Sequence, residues 1–198
     1  MLAASIHLSR GTPYIYMGEE IGMIDPDFES VADYVDVESI NAYQALLDAG
    51  HTKAQAFEII QIKSRDNSRT PMQWDDTANA GFSTGTPWLA TGNHAEINVA
   101  NDQNGEVYQF YKQLIQLRKS EALISDRTYQ AAYQDAAHLY AFIREFEGRR
   151  LLVLTNFSNQ VVDFELLADF VGAEILVNNY ATYTPNQLQP YQAIAFVI

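Results

Sequence analysis

The chain has 198 residues, a formal net charge of −13 and 47% apolar residues, so we expect a folded protein with one sizeable core or two small ones. The acidic balance argues against binding to nucleic acid or to an anionic membrane, because both require clustered lysine and arginine. The absence of cysteine excludes disulfides and thiolate metal sites, and it fits a cytoplasmic location.

The first predicted elements are a helix and a short strand. Residues 1–10 read as the last turns of an amphipathic helix that ends at Gly11. Residues 14–17 are apolar and aromatic, which is typical of a buried parallel strand. A helix, a Gly-Thr-Pro turn and a buried strand together form one step of an α/β repeat.

A long irregular region, roughly 24–104, follows and contains two predicted helices. Asp36 is placed to cap the first, and Gly50 lies just past its end. Thr52 and Gln55 form a capping-box pair at the start of the second. Residues 66–104 show no periodicity, and loops of that length inside a compact domain tend to be functional.

The remaining predicted elements are one long helix and a set of strands. Apolar residues at helical spacing predict a helix over 105–120. After residue 121 the pattern becomes alternating, with a hairpin that turns at Glu147 and Gly148. The predicted strands cover 139–146, 150–155, 161–166, 173–177 and 193–198, and they predict a small antiparallel β-sandwich.

The most informative segment is Arg65-Asp66-Asn67-Ser68-Arg69-Thr70-Pro71-Met72-Gln73-Trp74. It has neither strand nor helix periodicity, so burial in a core does not explain it. Guanidinium groups and amides bind hydroxyl groups in fixed geometry, and an indole ring can stack on a sugar. The composition therefore favours a carbohydrate-binding surface.

This segment, with Gly11-Thr12-Pro13-Tyr14-Ile15-Tyr16 and Gly18-Glu19-Glu20-Ile21-Gly22-Met23, resembles the bacterial α-glucosidases of glycoside hydrolase family 13. The similarity is to the branch that holds oligo-1,6-glucosidase, dextran glucosidase and trehalose-6-phosphate hydrolase. It implies an α/β plus all-β fold and only the C-terminal third of such an enzyme. Residues 1–120 would be the last strand–helix unit of a (β/α)8 barrel with its long loop. Residues 121–198 would be the C-terminal antiparallel β-sandwich.

No catalytic residue is expected in this chain. Glycoside hydrolysis requires two carboxylates across the scissile bond, and Glu19 and Glu20 are the obvious candidates. Adjacent residues on an extended chain point to opposite sides, so both cannot face one anomeric carbon. We expect one carboxylate to anchor a loop and the other to be solvated or bonded to neighbouring backbone amides. The resemblance also implies that the nucleophile, the acid/base and a third catalytic aspartate precede residue 1. The chain alone is therefore predicted to be inactive.

The resemblance assigns substrate binding to Arg65 and Glu38. Arg65 matches an arginine against the −1 sugar, where a guanidinium stays charged and fixes two acceptors. Glu38 matches a glutamate that binds the +1 sugar. The alternatives are a structural salt bridge for Arg65 and a helix-dipole role for Glu38. Arg69 and Trp74 are expected to hold the loop's shape, and Trp88 is expected in the core.

No metal site and no cofactor are expected. His7, His51, His94 and His138 lack a metal-ligand spacing. The acidic loop 25–36 lacks the regular ligand spacing of an EF-hand. Met17 stands where the family usually has glutamine, and a thioether cannot make the same hydrogen bonds; local packing there is expected to differ.

Three functional hypotheses follow. The first is a fragment of a retaining exo-α-glucosidase acting on isomalto-oligosaccharides, with trehalose-6-phosphate hydrolase as the close alternative. The partner would be an oligosaccharide or a phosphorylated disaccharide, with no nucleic acid and no membrane. The second is a non-catalytic carbohydrate-binding module, suggested by five tyrosines: Tyr129, Tyr133, Tyr180, Tyr183 and Tyr191. The third is an inert fragment that self-associates through a cut barrel edge.

Overall fold

The computed structural model describes residues 1–125 and 128–198. It divides the chain into two compact units: one comprises residues 1–14 and 110–198, and the other residues 15–109. The domain boundary predicted from the sequence, at residue 120, does not coincide with the limits of these units and stays a prediction. Among the described residues, no helix combines the length and the apolar character needed to cross a membrane.

Apart from the strand predicted at residues 14–17, the predicted helices and strands form in the expected order, together with several short elements that were not predicted. The α-helices are α1 (Leu2–His7), α2 (Val37–Asp48), α3 (Lys53–Lys63), α4 (Val99–Asp102), α5 (Glu106–Ser120) and α6 (Ala122–Ser125). The strands are β1 (Gln130–Ala132), β2 (Leu139–Phe146), β3 (Arg149–Asn156), β4 (Val162–Asp163), β5 (Glu174–Asn178), β6 (Gln187–Leu188) and β7 (Ala193–Val197). Short 3-10 turns cover Glu19–Ile21, Val31–Asp33, Arg65–Ser68, Ala78–Gly81 and Ala168–Phe170.

The C-terminal strands form the predicted antiparallel structure. Five strands pair in the order β1-β2-β3-β7-β5, and β4 pairs with β6 in a separate two-stranded sheet. The β2–β3 hairpin turns at Glu147 and Gly148, with φ of 51° and 82°. Positive φ at both central residues matches the right-handed twist of the flanking strands. β1 and β6 were not predicted from the sequence, because two or three residues are too few to show alternation.

Both faces of the five-stranded sheet are buried, which differs from a simple two-sheet sandwich. On one face, buried residues of α1, α5 and α6 cluster with Phe142, Leu151 and Val153. On the other face, Leu152 and Leu154 cluster with residues from the β4 and β6 region. Because side chains alternate along a strand, neighbouring leucines of β3 enter opposite cores. One layer over the sheet is therefore helical and the other is a short β ribbon with its loops.

In the unit formed by residues 15–109, helices α2 and α3 begin at the predicted capping residues, and α2 ends just before Gly50 as predicted. The Asp36 side chain accepts a hydrogen bond from the Ser39 amide and caps α2. Thr52 and Gln55 form a reciprocal capping box at the start of α3. Gly50 adopts φ of 93° just after α2, where the left-handed conformation favours glycine. The apolar core of this unit is small, with four buried members: Phe28, Tyr34, Ile60 and Leu89.

The aperiodic region after residue 70 is ordered by polar side chains rather than by a regular element. Gln73, 1% exposed, donates from Nε2 to the Ile97 carbonyl. Asn98 caps α4 through the Asn101 amide and donates from Nδ2 to the His94 carbonyl at 2.8 Å. Backbone groups buried in a loop need such partners because water cannot reach them. Side chain-to-backbone hydrogen bonds therefore give this loop its structure.

The predicted strand at 14–17 does not form. No strand is assigned to it among the described residues, and Tyr14 and Tyr16 are 85% and 53% exposed. A strand exists through hydrogen bonds to neighbouring strands, and neighbours are missing here. The expectation that Trp88 lies in the core is also wrong, since Trp88 is 72% exposed.

Candidate functional site

The segment that contains Arg65 begins directly after helix α3. Ser64 ends that helix, and its Oγ accepts a hydrogen bond from the Asp66 amide at 3.2 Å. This serine caps a 3-10 turn over Arg65–Ser68, so the turn starts at a defined residue. The Ser68 hydroxyl donates to the Arg65 carbonyl at 3.1 Å and closes the turn.

Asp66 connects this turn to the start of α2. Its side chain is fully buried, and Oδ2 accepts hydrogen bonds from the amides of Val35 and Asp36, each at 2.8 Å. Oδ1 lies 3.4 Å from Arg69 Nη1. A buried carboxylate needs such donors, because burial without them would strongly disfavour its charge. The two segments, about thirty residues apart in the chain, are thereby held together.

A second buried carboxylate, Asp36, lies in the same network. The hydrogen bond from the Ser39 hydroxyl, 2.8 Å long, is the main reason that its pKa lies below the usual value, and the nearby guanidinium groups of Arg65 and Arg69 add to the effect. Arg69 Nη1 lies 3.4 Å from Asp36 Oδ1 as well as from Asp66. The geometry supports the prediction that Arg69 holds the shape of the loop.

Arg65 and Glu38 are in contact on the surface next to this buried network. They form a hydrogen-bonded ion pair between Arg65 Nη2 and Glu38 Oε2, with side chains that are 60% and 66% exposed. Glu38 lies in the first turn of α2, where a carboxylate interacts favourably with the helix dipole. Both groups retain donors and acceptors that face solvent. The pair can therefore bind a polyhydroxyl ligand without uncovering any buried group.

A small cavity of about 160 Å³ lies beside the Arg65–Ser68 turn, in the same unit. Tyr16, Glu19, Asp25 and Asn67 contribute to its lining, and Tyr16 donates its hydroxyl proton to the Ser68 carbonyl. Asn67 donates from Nδ2 to the Gln61 carbonyl at 2.7 Å. Its buried Oδ1 has no hydrogen-bond partner in the described part of the chain. The lining combines two carboxylates with the apolar side chains of Met17, Met23 and Ile24.

The structure gives Glu20 a structural role. Its Oε2 accepts a hydrogen bond from the Gly18 amide at 2.8 Å. Glu19 and Glu20 lie in a 3-10 turn and not on the extended chain that the sequence suggested. Gly18 adopts φ of 92°, a conformation that glycine tolerates best. The predicted bonding of one carboxylate to a neighbouring backbone amide is therefore confirmed for Glu20.

One of the candidate histidines, His7, and three of the candidate tyrosines, Tyr129, Tyr133 and Tyr180, make contacts within the fold. Within the described residues, no group of three metal-ligating side chains comes together. His7 is buried, and burial together with the nearby Arg118 lowers its pKa. Tyr133 donates to the Glu165 carbonyl at 2.7 Å and Tyr180 to the Pro190 carbonyl at 2.7 Å. The hydrogen bond with Tyr140 is the main cause that raises the pKa of Tyr129 to about 12.

Sequence reasoning missed the buried polar residues that support the exposed pair. Asp66 belongs to the segment whose composition favours a carbohydrate-binding surface, whereas its side chain is fully buried. Ser39 and Ser64 were not singled out, although they are 5% and 7% exposed. A serine immediately before a motif that starts a new turn is a capping signal, and Ser64 could have been found in this way. Ser39 gives no comparable signal.

A family profile described as "Alpha amylase, catalytic domain" matches residues 1–126. The trehalose-6-phosphate hydrolase of Bacillus subtilis strain 168 is 42% identical over 99% of this chain and 37% of its own length. The oligo-1,6-glucosidase of Halalkalibacterium halodurans is 40% identical over 100% of this chain and 37% of its own length.

Solved structures give the same assignment. The crystal structure of Bacillus licheniformis trehalose-6-phosphate hydrolase (R201Q mutant) superposes with a TM-score of 0.90 at 40% identity, over 99% of this chain and 37% of that one. Trehalulose synthase MutB of Pseudomonas mesoacidophila MX-45 superposes with a TM-score of 0.87 at 35% identity, over 100% of this chain and 37% of that one. The chain thus spans little more than a third of these relatives, and it belongs to the alpha-amylase family of glycoside hydrolases.

Proposed function

We propose that this chain is the C-terminal part of a retaining exo-α-glucosidase that hydrolyses short α-linked oligosaccharides, with isomalto-oligosaccharides as the preferred substrates. The observation that carries the proposal is the meeting of Arg65 and Glu38 on an exposed surface in a chain of the alpha-amylase family. These are the two residues to which the family resemblance assigns sugar binding. Oligo-1,6-glucosidases among the relatives support the substrate class.

The family assignment suggests a division of the whole protein into a barrel and a C-terminal domain. We propose that residues 1–120 end the (β/α)8 barrel and that residues 121–198 form the C-terminal β domain. The segment 14–17 would be the last barrel strand in the complete enzyme. Its exposed tyrosines and its lack of strand partners within the described residues are what a strand without its neighbours would show.

In this proposal the two binding residues have different roles. The Arg65 guanidinium donates to hydroxyls and carboxylates at the −1 subsite, where it remains charged at any working pH. The Glu38 carboxylate accepts from hydroxyls of the +1 sugar. The ion pair between them is exposed and therefore weak, so that a sugar hydroxyl can replace one of its hydrogen bonds at little cost.

The chain by itself is proposed to be inactive and to have no cofactor. The two adjacent glutamates near the cavity do not form a catalytic pair, because Glu20 is bound to its own turn. The relatives are nearly three times as long, which leaves ample room for the catalytic carboxylates elsewhere. Without the remainder, the exposed 14–17 segment would cause self-association.

The second candidate is a trehalose-6-phosphate hydrolase. It is favoured by the B. subtilis relative at 42% identity and the B. licheniformis structure at TM-score 0.90. The oligo-1,6-glucosidases are similar to within a few per cent, so identity does not separate the two. A non-catalytic carbohydrate-binding module is the third candidate. Of the five tyrosines that suggest it, Tyr129, Tyr180 and Tyr191 have exposed side chains.

The test joins this chain to the missing portion of a relative. We would replace the corresponding segment of the H. halodurans oligo-1,6-glucosidase by residues 1–198 and assay an aryl α-glucoside and isomaltose. The chimera is expected to hydrolyse both, and the chain alone neither. Arg65→Gln should lower kcat/KM for both substrates roughly 10- to 100-fold, as expected for the loss of a charged hydrogen bond.

Glu38→Gln supplies the internal control in that chimera. It should raise KM for isomaltose, which has a +1 sugar, and leave the aryl glucoside nearly unchanged. Turnover of the aryl glucoside by the purified chain alone would contradict the proposed absence of catalytic carboxylates. An unchanged kcat/KM in Arg65→Gln would contradict the proposed binding role.

A further inference from the structure

The exposed pair of Arg65 and Glu38 cannot hold its own geometry. Both side chains are more than half exposed, and surface ion pairs between long side chains contribute little because water screens them and ordering them costs entropy. The two residues lie 27 positions apart in the chain. Their approach must therefore be fixed by other contacts between the segments that carry them.

Those contacts come from the residues on either side of the pair. Ser64 and Asp66 flank Arg65, while Asp36 and Ser39 stand two residues before and one residue after Glu38. All four are 8% exposed or less. Asp66 Oδ2 accepts from the Asp36 amide at 2.8 Å, and Ser64 Oγ lies 2.9 Å from Ser39 Oγ. Two buried polar links thus join the backbone on both sides of the exposed pair.

Asp66 makes the stronger of these links. Its Oδ2 receives two backbone amides, those of Val35 and Asp36, and hydrogen bonds to a charged acceptor are roughly twice as strong as neutral ones. Asp36 is the N-cap of α2, so the bond from its amide fixes the point at which the helix of Glu38 begins. Arg69, 3.4 Å from both carboxylates, supplies the compensating charge.

We propose that Asp66 is a positioning residue that sets Arg65 opposite Glu38 before any ligand arrives. The inference rests on the proposed sugar-binding role of that pair and extends it, because it assigns the geometry of the pair to a buried carboxylate that touches no substrate. A pair that is already in place does not have to be ordered on binding, and this improves affinity.

The experiment compares Asp66→Asn and Asp66→Ala with Ile60→Val, all in the 198-residue chain. Ile60 is 2% exposed in the core of the same unit, so its substitution lowers stability without touching the network. Amide hydrogen exchange by NMR is the first measurement. Asp66→Ala should accelerate exchange at Val35 and Asp36 at least about tenfold more than Ile60→Val does. Equal acceleration in the two variants would reduce Asp66 to an ordinary stabilising residue and overturn the proposal.

The second measurement is a titration with isomaltose, followed at the Arg65 side-chain NH and the Glu38 amide. The wild-type chain should respond at both, and Asp66→Asn, which keeps one acceptor oxygen, should bind about tenfold more weakly while remaining folded. Equal affinity in wild type and Asp66→Asn, with binding lost in Arg65→Ala, would refute positioning and leave the proposed function standing. No response in wild type would show that the isolated chain does not bind isomaltose; the chimera assay would then test the proposed function, and the exchange measurement would decide the role of Asp66.

Discussion

The two compact units of this protein are stabilised in different ways. The unit with the five-stranded sheet buries apolar side chains on both faces of the sheet. The unit of residues 15–109 has four buried members in its apolar core and depends on polar side chains that bond to backbone groups. Apolar burial is non-directional and carries no charge that titrates, whereas a buried polar network depends on the partner and the protonation state of each of its members. The binding residues that we propose lie in the polar unit.

The largest effect is expected in the sheet. Leu151→Ala and Leu152→Ala should each lower the free energy of unfolding by about 2–5 kcal/mol, since both side chains are fully buried in opposite cores. Chemical denaturation followed by circular dichroism measures this. Val171→Ala is the control, because Val171 is 72% exposed and its loss should change the free energy of unfolding by less than about 0.5 kcal/mol. If either substitution left the free energy of unfolding nearly unchanged, the face of the sheet that carries that leucine would not be part of a core.

In the unit of residues 15–109, Gly81→Ala tests whether the backbone at residue 81 leaves room for a Cβ atom. Gly81 adopts φ of 64°, and a Cβ there would lie 2.6 Å from Asp75 Oδ2. The substitution should destabilise the unit by about 2 kcal/mol, from left-handed strain and crowding together. Gly50→Ala is the matched control, with φ of 93° and open space around its Cβ position. If both variants lost the same stability, crowding by Asp75 would have no part in the effect.

Removing the N-cap of α2 should have a smaller effect. Asp36→Ala deletes the acceptor for the Ser39 amide and hydroxyl, and loss of such a cap costs about 0.5–2 kcal/mol. Thermal unfolding followed in the helical signal would measure this. Asp48→Ala, at the other end of the same helix, is the control and should have little effect. A cost for Asp48→Ala equal to that for Asp36→Ala would contradict the capping role.

Acid should destabilise the unit of residues 15–109 through Asp36. Because the folded-state pKa of Asp36 lies below its ordinary value of 3.8, ionised Asp36 stabilises the folded unit above that ordinary value. This stability is lost as the pH falls through the folded-state pKa. The free energy of unfolding of wild type should therefore decrease more steeply below pH about 4 than that of Asp36→Asn. Parallel pH curves for the two proteins would contradict the assignment.

The smallest effect is expected at the exposed pair. Arg65→Gln should change the free energy of unfolding by less than about 1 kcal/mol, as is usual for surface ion pairs, although it should impair ligand binding. Denaturation of the isolated chain measures the first effect and the isomaltose titration the second. A large loss of stability in Arg65→Gln would favour the structural salt bridge over the binding role.

The amino-acid sequence by itself determined the local elements. The caps at Asp36 and Thr52, the turn at Glu147 and Gly148 and the long helix α5 were predicted correctly, because each depends on residues within a few positions of one another. The motif around Arg65 also identified the family. The strand predicted at 14–17 did not form, since a strand depends on neighbours that local sequence cannot supply.

Only the tertiary structure decided the contacts between distant segments. It showed that the exposed Arg65 is adjacent to Glu38, and that the buried residue next to it, Asp66, holds the amides of Val35 and Asp36. The local sequence pattern is the same for an aspartate on the surface and for a buried one. The amides that bind Asp66 come from residues about thirty positions earlier in the chain. Whether a polar side chain binds solvent or backbone depends on which segments fold against it, and that is a property of the whole fold.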